Sequence, residues 1–303
     1  MPACRLLSSV LAAVMLLAGA GPVLAQTPAP APAEGSQGAR PGGRTASVNT
    51  APRVDAAAMA RPIDMHDGVW IEHLTMLEVR DLIKAGATTA LVLTGGIEEN
   101  GPYLTTGKHN FVLKATGESI ARALGKTLVA PIVTLEPGNP LRPNLSPGTI
   151  VLSQATYRAV LTDMANSLKS QGFTNVVMIG DSGGNLTPMK DVAETVNAAW
   201  AGSGARVHFI PEYYNYADVE AFEERELGIH EQMEGLHDDY YISAIIATVD
   251  TDAIRMPERV KAGKFVINGV PLAPIETTIA NGRKIIDFRT KVTVEAIRKS
   301  MAK

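Results

Sequence analysis

Cysteine is nearly absent from this sequence: its 303 residues include one, Cys4, close to the amino terminus. Charge is also sparse, since charged residues make up 19% of the chain and the net charge is −3. So small a net charge gives no indication of a nucleic-acid partner. Hydrophobic residues still make up 46% of the sequence, so we expect a globular core that forms without disulfides.

Residues 1–25 have the pattern of a secretory signal peptide. Arg5 lies in a short first segment, an apolar run follows, and small residues lead up to Ala25. We expect cleavage after Ala25, which removes Cys4 and predicts a periplasmic or secreted protein with no membrane association after cleavage. An uncleaved anchor is the alternative, but the apolar run is short and is followed by Pro22.

Two further regions follow the predicted signal peptide. Residues 26–62 are rich in Pro, Ala and Gly and have few large apolar side chains, which predicts a disordered linker. From residue 63 to residue 303, strand-like and helix-like segments alternate over much of the length, which predicts one α/β domain.

Apolar runs predict strands at 88–96, 127–133, 175–180 and 206–211. Helical spacing predicts one helix before the first strand, beginning with a capping box from Thr75 to Glu78. Further helices are predicted between the strands at 111–124, around 157–168 and from Thr187 to Trp200. Continuous apolar strands separated by helices predict a mostly parallel β-sheet flanked by helices on both faces.

The motif GDSGG at residues 180–184 invites comparison with serine hydrolases. A trypsin-like enzyme consists of two all-β barrels, so the α/β pattern excludes it. The GDS motif of lipase-like esterases lies on the first strand and needs a late Asp-x-x-His, and no such spacing occurs near this C-terminus. A serine esterase with Ser182 as nucleophile is therefore only a minor alternative.

Two predicted loops carry residues that can bind metals. In doubly wound sheets, ligands bind where the carboxyl ends of the strands open into loops. Residues 95–110 and 180–185 both follow predicted strands, so we expect them to face one crevice.

The ordered motifs resemble those of the creatininase (creatinine amidohydrolase) family. Residues 95–109 match the family's first signature at six positions, and residues 147–149 match its Pro-Gly-Thr element. Residues 180–185 align with its Asn-Gly-His-Gly-Gly-Asn turn, and residues 237–240 with its His-Ala-Gly-Glu element. The resemblance spans about residues 70–256 and implies a creatininase-like fold.

The resemblance also implies a metal site, although with altered ligands. Family members hold two ions, but here Asn100 replaces a histidine, His109 replaces the bridging aspartate and Ser182 replaces the turn histidine. Glu98, His109 and Asp181 still form a set of two carboxylates and one imidazole, which predicts one divalent transition metal, Zn, Mn or Fe. The alternative is structural: His109 and Asp181 cap helices, and Glu98 pairs with Lys108.

The same resemblance assigns the remaining site residues. His237 aligns with a histidine that donates a proton in the family, and Asp238 or Asp239 supports it; these three are the predicted catalytic residues. The predicted substrate-binding residues are Asn100, Tyr103, Ser182, Gly183, Gly184 and Asn185. The other histidines, His66, His73, His208 and His230, are assigned to the surface.

The sequence therefore predicts a metal-dependent hydrolase that cleaves a small amide C–N bond. The alternative is a catalytically inactive small-molecule-binding protein on the same scaffold. The family also implies a homo-oligomer, and the aromatic-rich segment 212–222 would suit an interface or a pocket wall.

Overall fold

The structure, a computed structural model, describes residue 55 and residues 57–303. Its strands are β1 (Thr89–Thr94), β2 (Thr127–Val129), β3 (Pro137–Gly138), β4 (Leu152–Ser153), β5 (Asn175–Gly180), β6 (Arg206–Phe209), β7 (Val266–Ile267) and β8 (Val270–Pro271). The central sheet is parallel and has the order β2-β1-β5-β6. The neighbours β1 and β5 finish together, because Thr94 pairs with Gly180.

The helices are α1 (Met76–Lys84), α2 (Lys108–Leu124), α3 (Gln154–Gln171), α4 (Leu186–Ala199), α5 (Tyr216–Phe222), α6 (Tyr240–Ala247), α7 (Met256–Ala262) and α8 (Ile275–Met301). The capping box predicted for α1 is confirmed, since Thr75 and Glu78 each satisfy the other's backbone N–H. Each predicted strand corresponds to one of β1, β2, β5 and β6, and each predicted helix to one of α1 to α4.

Side chains alternate across the sheet and build a core on each face. Ala90 and Val92 of β1 belong to the core that includes α3 and α4. Leu91 and Leu93 belong to the opposite core, which includes α2 and the end of α8. The predicted architecture, a mostly parallel sheet with helices on both faces, is therefore confirmed.

The C-terminal helices form a third apolar cluster beside the sheet. Every residue of α6 is buried, and the helix packs closely against α8 at Gly282. A methyl group placed on Gly282 would overlap the Ala244 carbonyl oxygen. This close approach fixes the position of α8, which contributes a side chain to the candidate site described below.

The predicted signal peptide, residues 1–25, lies outside the described residues, as does most of the predicted linker. The last linker residues contact α1: the Arg80 guanidinium donates to the carbonyl oxygens of Ala57 (2.8 Å) and Met59 (2.7 Å). The domain boundary at residue 63 stays a prediction. No helix among the described residues is long and apolar enough to cross a membrane.

We expect Gly282→Ala to destabilise the protein. Alanine favours a helix by about 1 kcal/mol over glycine, but its methyl group would overlap a backbone atom of α6, and overpacking costs typically about 1–3 kcal/mol or more. Chemical denaturation should show a lower free energy of unfolding, whereas Lys284→Ala on the exposed side of α8 should change little. An unchanged or higher stability for Gly282→Ala would contradict the close packing of α6 and α8.

Candidate functional site

Two loops meet at the carboxyl end of the central sheet, one after β1 and one after β5. Asp181 follows β5 directly, and its N–H donates to the Thr94 carbonyl oxygen at 3.0 Å. The Asn185 side-chain amide donates to the carbonyl oxygens of Thr94 (2.9 Å) and Gly95 (3.0 Å), so it ties both strand ends together. The expectation that these two loops face each other is confirmed.

The ring of His109, in the first turn of α2, lies between two carboxylates. Its Nδ1 is 2.9 Å from Asp181 Oδ2, and its Nε2 is 2.5 Å from Glu98 Oε1. Burial disfavours a charged ring, but the hydrogen bonds with Asp181 and Glu98 outweigh this effect and raise the pKa of His109 to about 9. At neutral pH the ring is therefore an imidazolium that donates to both carboxylates.

The Asp181 carboxylate is fully buried and has a second cationic partner. The Arg289 guanidinium of α8, also fully buried, donates from Nη2 to Asp181 Oδ1 at 3.0 Å and to the Tyr213 carbonyl oxygen at 3.1 Å. Burial would raise the pKa of Asp181, but Arg289 and His109 together hold it below its ordinary value. Asp181 is thus an ionised group that links β5, α2 and α8.

Glu98 also has a second cation nearby. The buried Lys108 ammonium lies 3.6 Å from Glu98 Oε1. The sequence analysis gave this ion pair as part of the structural alternative to a metal site. Burial lowers the pKa of Lys108, and Glu98 opposes that shift. Lys108 and the His109 imidazolium both lie in the first turn of α2, where the helix dipole disfavours positive charge. The carboxylates of Glu98 and Asp181 therefore stabilise this arrangement.

These groups border a small polar cavity, which we call the strand-end pocket. Its volume is about 250 Å³, and its lining includes Glu98, Lys108, His109, Ser182, Gly183, Tyr214, Tyr216, His237, Asp239, Tyr241 and Ile242. Larger grooves of about 650 and 630 Å³ lie elsewhere, and none of the predicted site residues lines them. The strand-end pocket is therefore where the predicted chemistry can take place.

Six of the predicted site residues line this pocket: Glu98, His109, Ser182, Gly183, His237 and Asp239. His237 is half-exposed; its Nδ1–H donates to the Glu99 carbonyl oxygen at 2.9 Å, and its Nε2 lies 3.8 Å from Glu98 Oε1. The histidine is thus aimed at the same carboxylate that binds His109. The roles assigned to these residues stay predictions.

The other predicted site residues lie outside the lining. Asp181 is behind His109, and Asn185 ties the strand ends together, as described above. Asn100 donates to the carbonyl oxygens of Glu98 and Thr105 within its own loop. The Tyr103 ring stacks against the Arg259 guanidinium, Asp238 is buried against Gly101, and Gly184 lies near Pro137. In this arrangement these residues support the pocket rather than face it.

The Ser182 hydroxyl has a partner that the sequence did not indicate. It donates to Glu136 Oε2 at 2.5 Å, and burial raises the pKa of Glu136 above its ordinary value. Both ring nitrogens of His109 are engaged with carboxylates, so His109 does not act as a base for Ser182. The serine-esterase alternative therefore lacks its Ser–His pair at this position.

Sequence reasoning missed six residues of the site: Glu136, Arg289, Tyr214, Tyr216, Tyr241 and Ile242. Tyr214 and Tyr216 lie in the aromatic-rich segment 212–222, for which the sequence suggested either an interface or a pocket wall. Both tyrosines line the pocket, so the second use applies to them. No local signal marks Arg289, because it reaches Asp181 across 108 positions of sequence.

The surface assignment of His208 is wrong, since its ring is buried between Ser300 and Asn175.

Comparison with known proteins agrees with this fold. The family model "Creatininase: Creatinine amidohydrolase" matches residues 72–296. Three similar solved structures are a creatininase with Mn, a mutant creatininase of Zn–Zn type and a mutant creatininase complexed with creatine, with TM-scores of 0.58, 0.59 and 0.57. Each is 16% identical and covers 77% of this chain and 98% of its own chain. No curated protein matches this chain.

This chain belongs to the creatininase family, because the family model covers about three quarters of its length. The Mn and Zn–Zn structures support a divalent metal in this family. Here Glu98, His109 and Asp181 lie together, but each is bound to another side chain of the site. Among residues 55 and 57–303, no group of three or more His, Cys, Asp or Glu side chains is arranged to hold a metal ion.

As arranged, these side chains do not fit a divalent ion. Lys108 and Arg289 already neutralise the two carboxylates, and the His109 imidazolium adds a third positive charge between them. A metal ligand must be a neutral imidazole with a free ring nitrogen, whereas both nitrogens of His109 bind carboxylates. The metal predicted from the sequence stays a prediction that these contacts do not favour.

We expect Arg289→Met to destabilise the protein by about 3–5 kcal/mol, because it leaves the buried Asp181 carboxylate with one fewer cation. Adding Asp181→Asn should recover part of the loss, since the remaining group is then neutral. Urea denaturation measures both effects, and Arg283→Met on an exposed position of α8 is the matched control. A change in Arg289→Met as small as that in the control would contradict the buried ion pair.

The stability contribution of His109 should depend on pH. Its pKa in the folded protein, about 9, lies above its ordinary value of 6.5. Its contribution is therefore fully present below pH 6.5 and is lost as the pH rises through about 9. The difference in unfolding free energy between the wild type and His109→Gln should shrink over this range. A difference that widens with pH would show that the ring is neutral.

Proposed function

We propose that this chain hydrolyses the amide C–N bond of a small polar molecule in the strand-end pocket. Its membership of the creatininase family supports an amidohydrolase-type function. The volume of about 250 Å³ suits a substrate smaller than a typical drug. The creatine bound to one solved relative is also a small molecule. The observation that carries the proposal is the Glu98 carboxylate, which faces the pocket with Lys108, His109 and His237 around it.

In this proposal, Glu98 acts as the general base. Burial would raise the pKa of Glu98, but His109, Lys108 and His237 lower it, so the group is an ionised carboxylate at neutral pH. It accepts a proton from a water molecule whose oxygen attacks the amide carbonyl carbon. His237, on the pocket rim, donates a proton to the leaving nitrogen as the C–N bond breaks, and the proton on Glu98 restores His237.

Lys108 supplies the positive charge that the reaction needs. The carbonyl oxygen gains negative charge as water adds, and a buried ammonium beside the pocket stabilises that charge in a low-dielectric environment. A divalent ion would do this in the metal-dependent version predicted from the sequence. In this mechanism no metal takes part, because Glu98 and Asp181 are already paired with cations of the chain and both ring nitrogens of His109 are engaged with these carboxylates.

We expect Glu98→Gln to lower kcat by about 10²–10⁴-fold on any amide that a substrate screen identifies, since the amide side chain cannot accept the proton. Ser182→Ala should raise KM with a much smaller effect on kcat, because Ser182 binds Glu136 and serves only as a hydrogen-bond donor in the pocket. If Ser182→Ala alone abolishes hydrolysis, the serine is the nucleophile and this mechanism is wrong.

Metal content provides the control for this mechanism. Elemental analysis after incubation with Zn²⁺, Mn²⁺ or Fe²⁺ should give well under one ion per chain, and turnover should survive a chelator. Close to one ion per chain, lost in His109→Ala, would instead support the metal-dependent version. Binding of small amides without turnover by the wild type would support the alternative of an inactive binding protein.

A further inference from the structure

The turn formed by Pro147, Gly148 and Thr149 has no role in the proposed mechanism, although it lies close to the strand-end pocket. It belongs to the connection between β3 and β4. Most of this connection is exposed, but the turn itself is bound to the loop after β1. Its contacts lead step by step to a residue of the pocket.

The turn lies along the loop after β1. The Ile150 N–H donates to the Ile97 carbonyl oxygen at 3.0 Å, which forms an antiparallel bridge between the two segments. Gly148 has a φ of +87°, and a methyl group on it would lie 2.7 Å from the Thr106 side chain, so this contact requires glycine. The Thr106 carbonyl oxygen accepts from the Glu98 N–H at 3.0 Å. The turn therefore packs against the loop that carries Glu98.

Thr149 binds Glu99 at both its main chain and its side chain. The Glu99 N–H donates to Thr149 Oγ1 at 3.2 Å, and the Thr149 hydroxyl donates to Glu99 Oε2 at 2.8 Å. Hydrogen bonds, the largest contribution coming from Thr149, lower the pKa of Glu99, so its carboxylate is ionised at neutral pH. Glu99 is exposed, so these hydrogen bonds, rather than burial, fix its position.

The Glu99 carbonyl oxygen holds the ring of His237. Nδ1–H donates to this oxygen at 2.9 Å, which is the one hydrogen bond of the ring among the described residues. The ring is half-exposed, so packing alone does not orient it. A carbonyl bound at Nδ1 keeps the proton of a neutral imidazole on that nitrogen. Nε2, which lies 3.8 Å from Glu98 Oε1, is then the nitrogen that exchanges a proton with the pocket.

We propose that Thr149 and Glu99 are positioning residues that hold His237 as the proton donor of the strand-end pocket. Neither residue lines the pocket, so both act through His237. Nε2 donates its proton to the leaving nitrogen and takes the proton from Glu98 in return, while Nδ1–H stays bound to Glu99. This role in the reaction rests on the proposed function, whereas the orientation of the ring does not.

The tautomer of His237 tests the positioning without a turnover assay. Ring-nitrogen chemical shifts in NMR should show the proton of the neutral wild-type ring on Nδ1, with the signals identified by their loss in His237→Gln. Thr149→Val removes the hydroxyl and keeps the shape, so much of the neutral ring should move its proton to Nε2, as in a free imidazole. Thr149→Ser should keep the wild-type tautomer. Thr195→Val, the same change at an exposed position of α4, is the matched control.

Turnover tests the role in the reaction. Thr149→Val should lower kcat by about tenfold or more with little change in KM, because Nε2 is no longer held toward the leaving nitrogen. Thr149→Ser should recover most of the loss, and Thr195→Val should match the wild type. Glu99→Ala removes one of the two hydrogen bonds from an exposed position and should act in the same direction by a smaller factor. This variant keeps the test available if Thr149→Val does not fold.

The outcomes separate this proposal from the proposed function. A wild-type ring with its proton on Nε2, or a tautomer that neither Thr149→Val nor Glu99→Ala changes, would overturn the positioning. A shifted tautomer with an unchanged kcat would overturn the role in the reaction. If the tautomer shifts as expected but the wild type hydrolyses no amide, the positioning stands and the proposed function fails. If Glu98→Gln abolishes turnover while Thr149→Val changes neither kcat nor the tautomer, the proposed function stands and the positioning fails.

Discussion

The buried ion pair between Arg289 and Asp181 is the interaction on which the site depends. Both side chains are fully buried, so neither charge is stabilised by water, and each needs the other. Asp181 then orients His109, and His109 in turn holds Glu98 at the edge of the strand-end pocket. One row of alternating charges therefore connects α8 to the loop after β1 through the end of β5. The packing of α6 against α8 at Gly282 helps to fix the position of the helix that carries Arg289.

The two carboxylates of the site already face positive charge from the chain itself. Glu98 and Asp181 are the acids predicted to bind a metal, and each instead faces a cationic side chain, Lys108 or Arg289. The His109 imidazolium lies between them. The positive charge beside these carboxylates is thus part of the chain. Hydrogen bonds within the chain engage Glu98, Asp181 and both ring nitrogens of His109.

The sequence was informative wherever local pattern decides structure. β5 occupies the predicted bounds 175–180, because an apolar run there is preceded by Gly172 and ends at Gly180. The meeting of Glu98, His109 and Asp181 followed from a general property of parallel sheets. Helix α6 was not predicted, since it is buried throughout and has no polar face to give a period. Arg289 was not predicted either, because its partner is set by tertiary packing alone.

The places where this chain departs from ordinary local preferences cluster around one wall. Lys108 and His109 put positive charge at the start of a helix, and Asp181 and Arg289 are fully buried charges. Local preference favours none of these arrangements, and each depends on oppositely charged partners in the folded protein. Arrangements of this kind persist where a ligand or a reaction uses them. The strand-end pocket is therefore the part of the molecule where we place the chemistry on the amide.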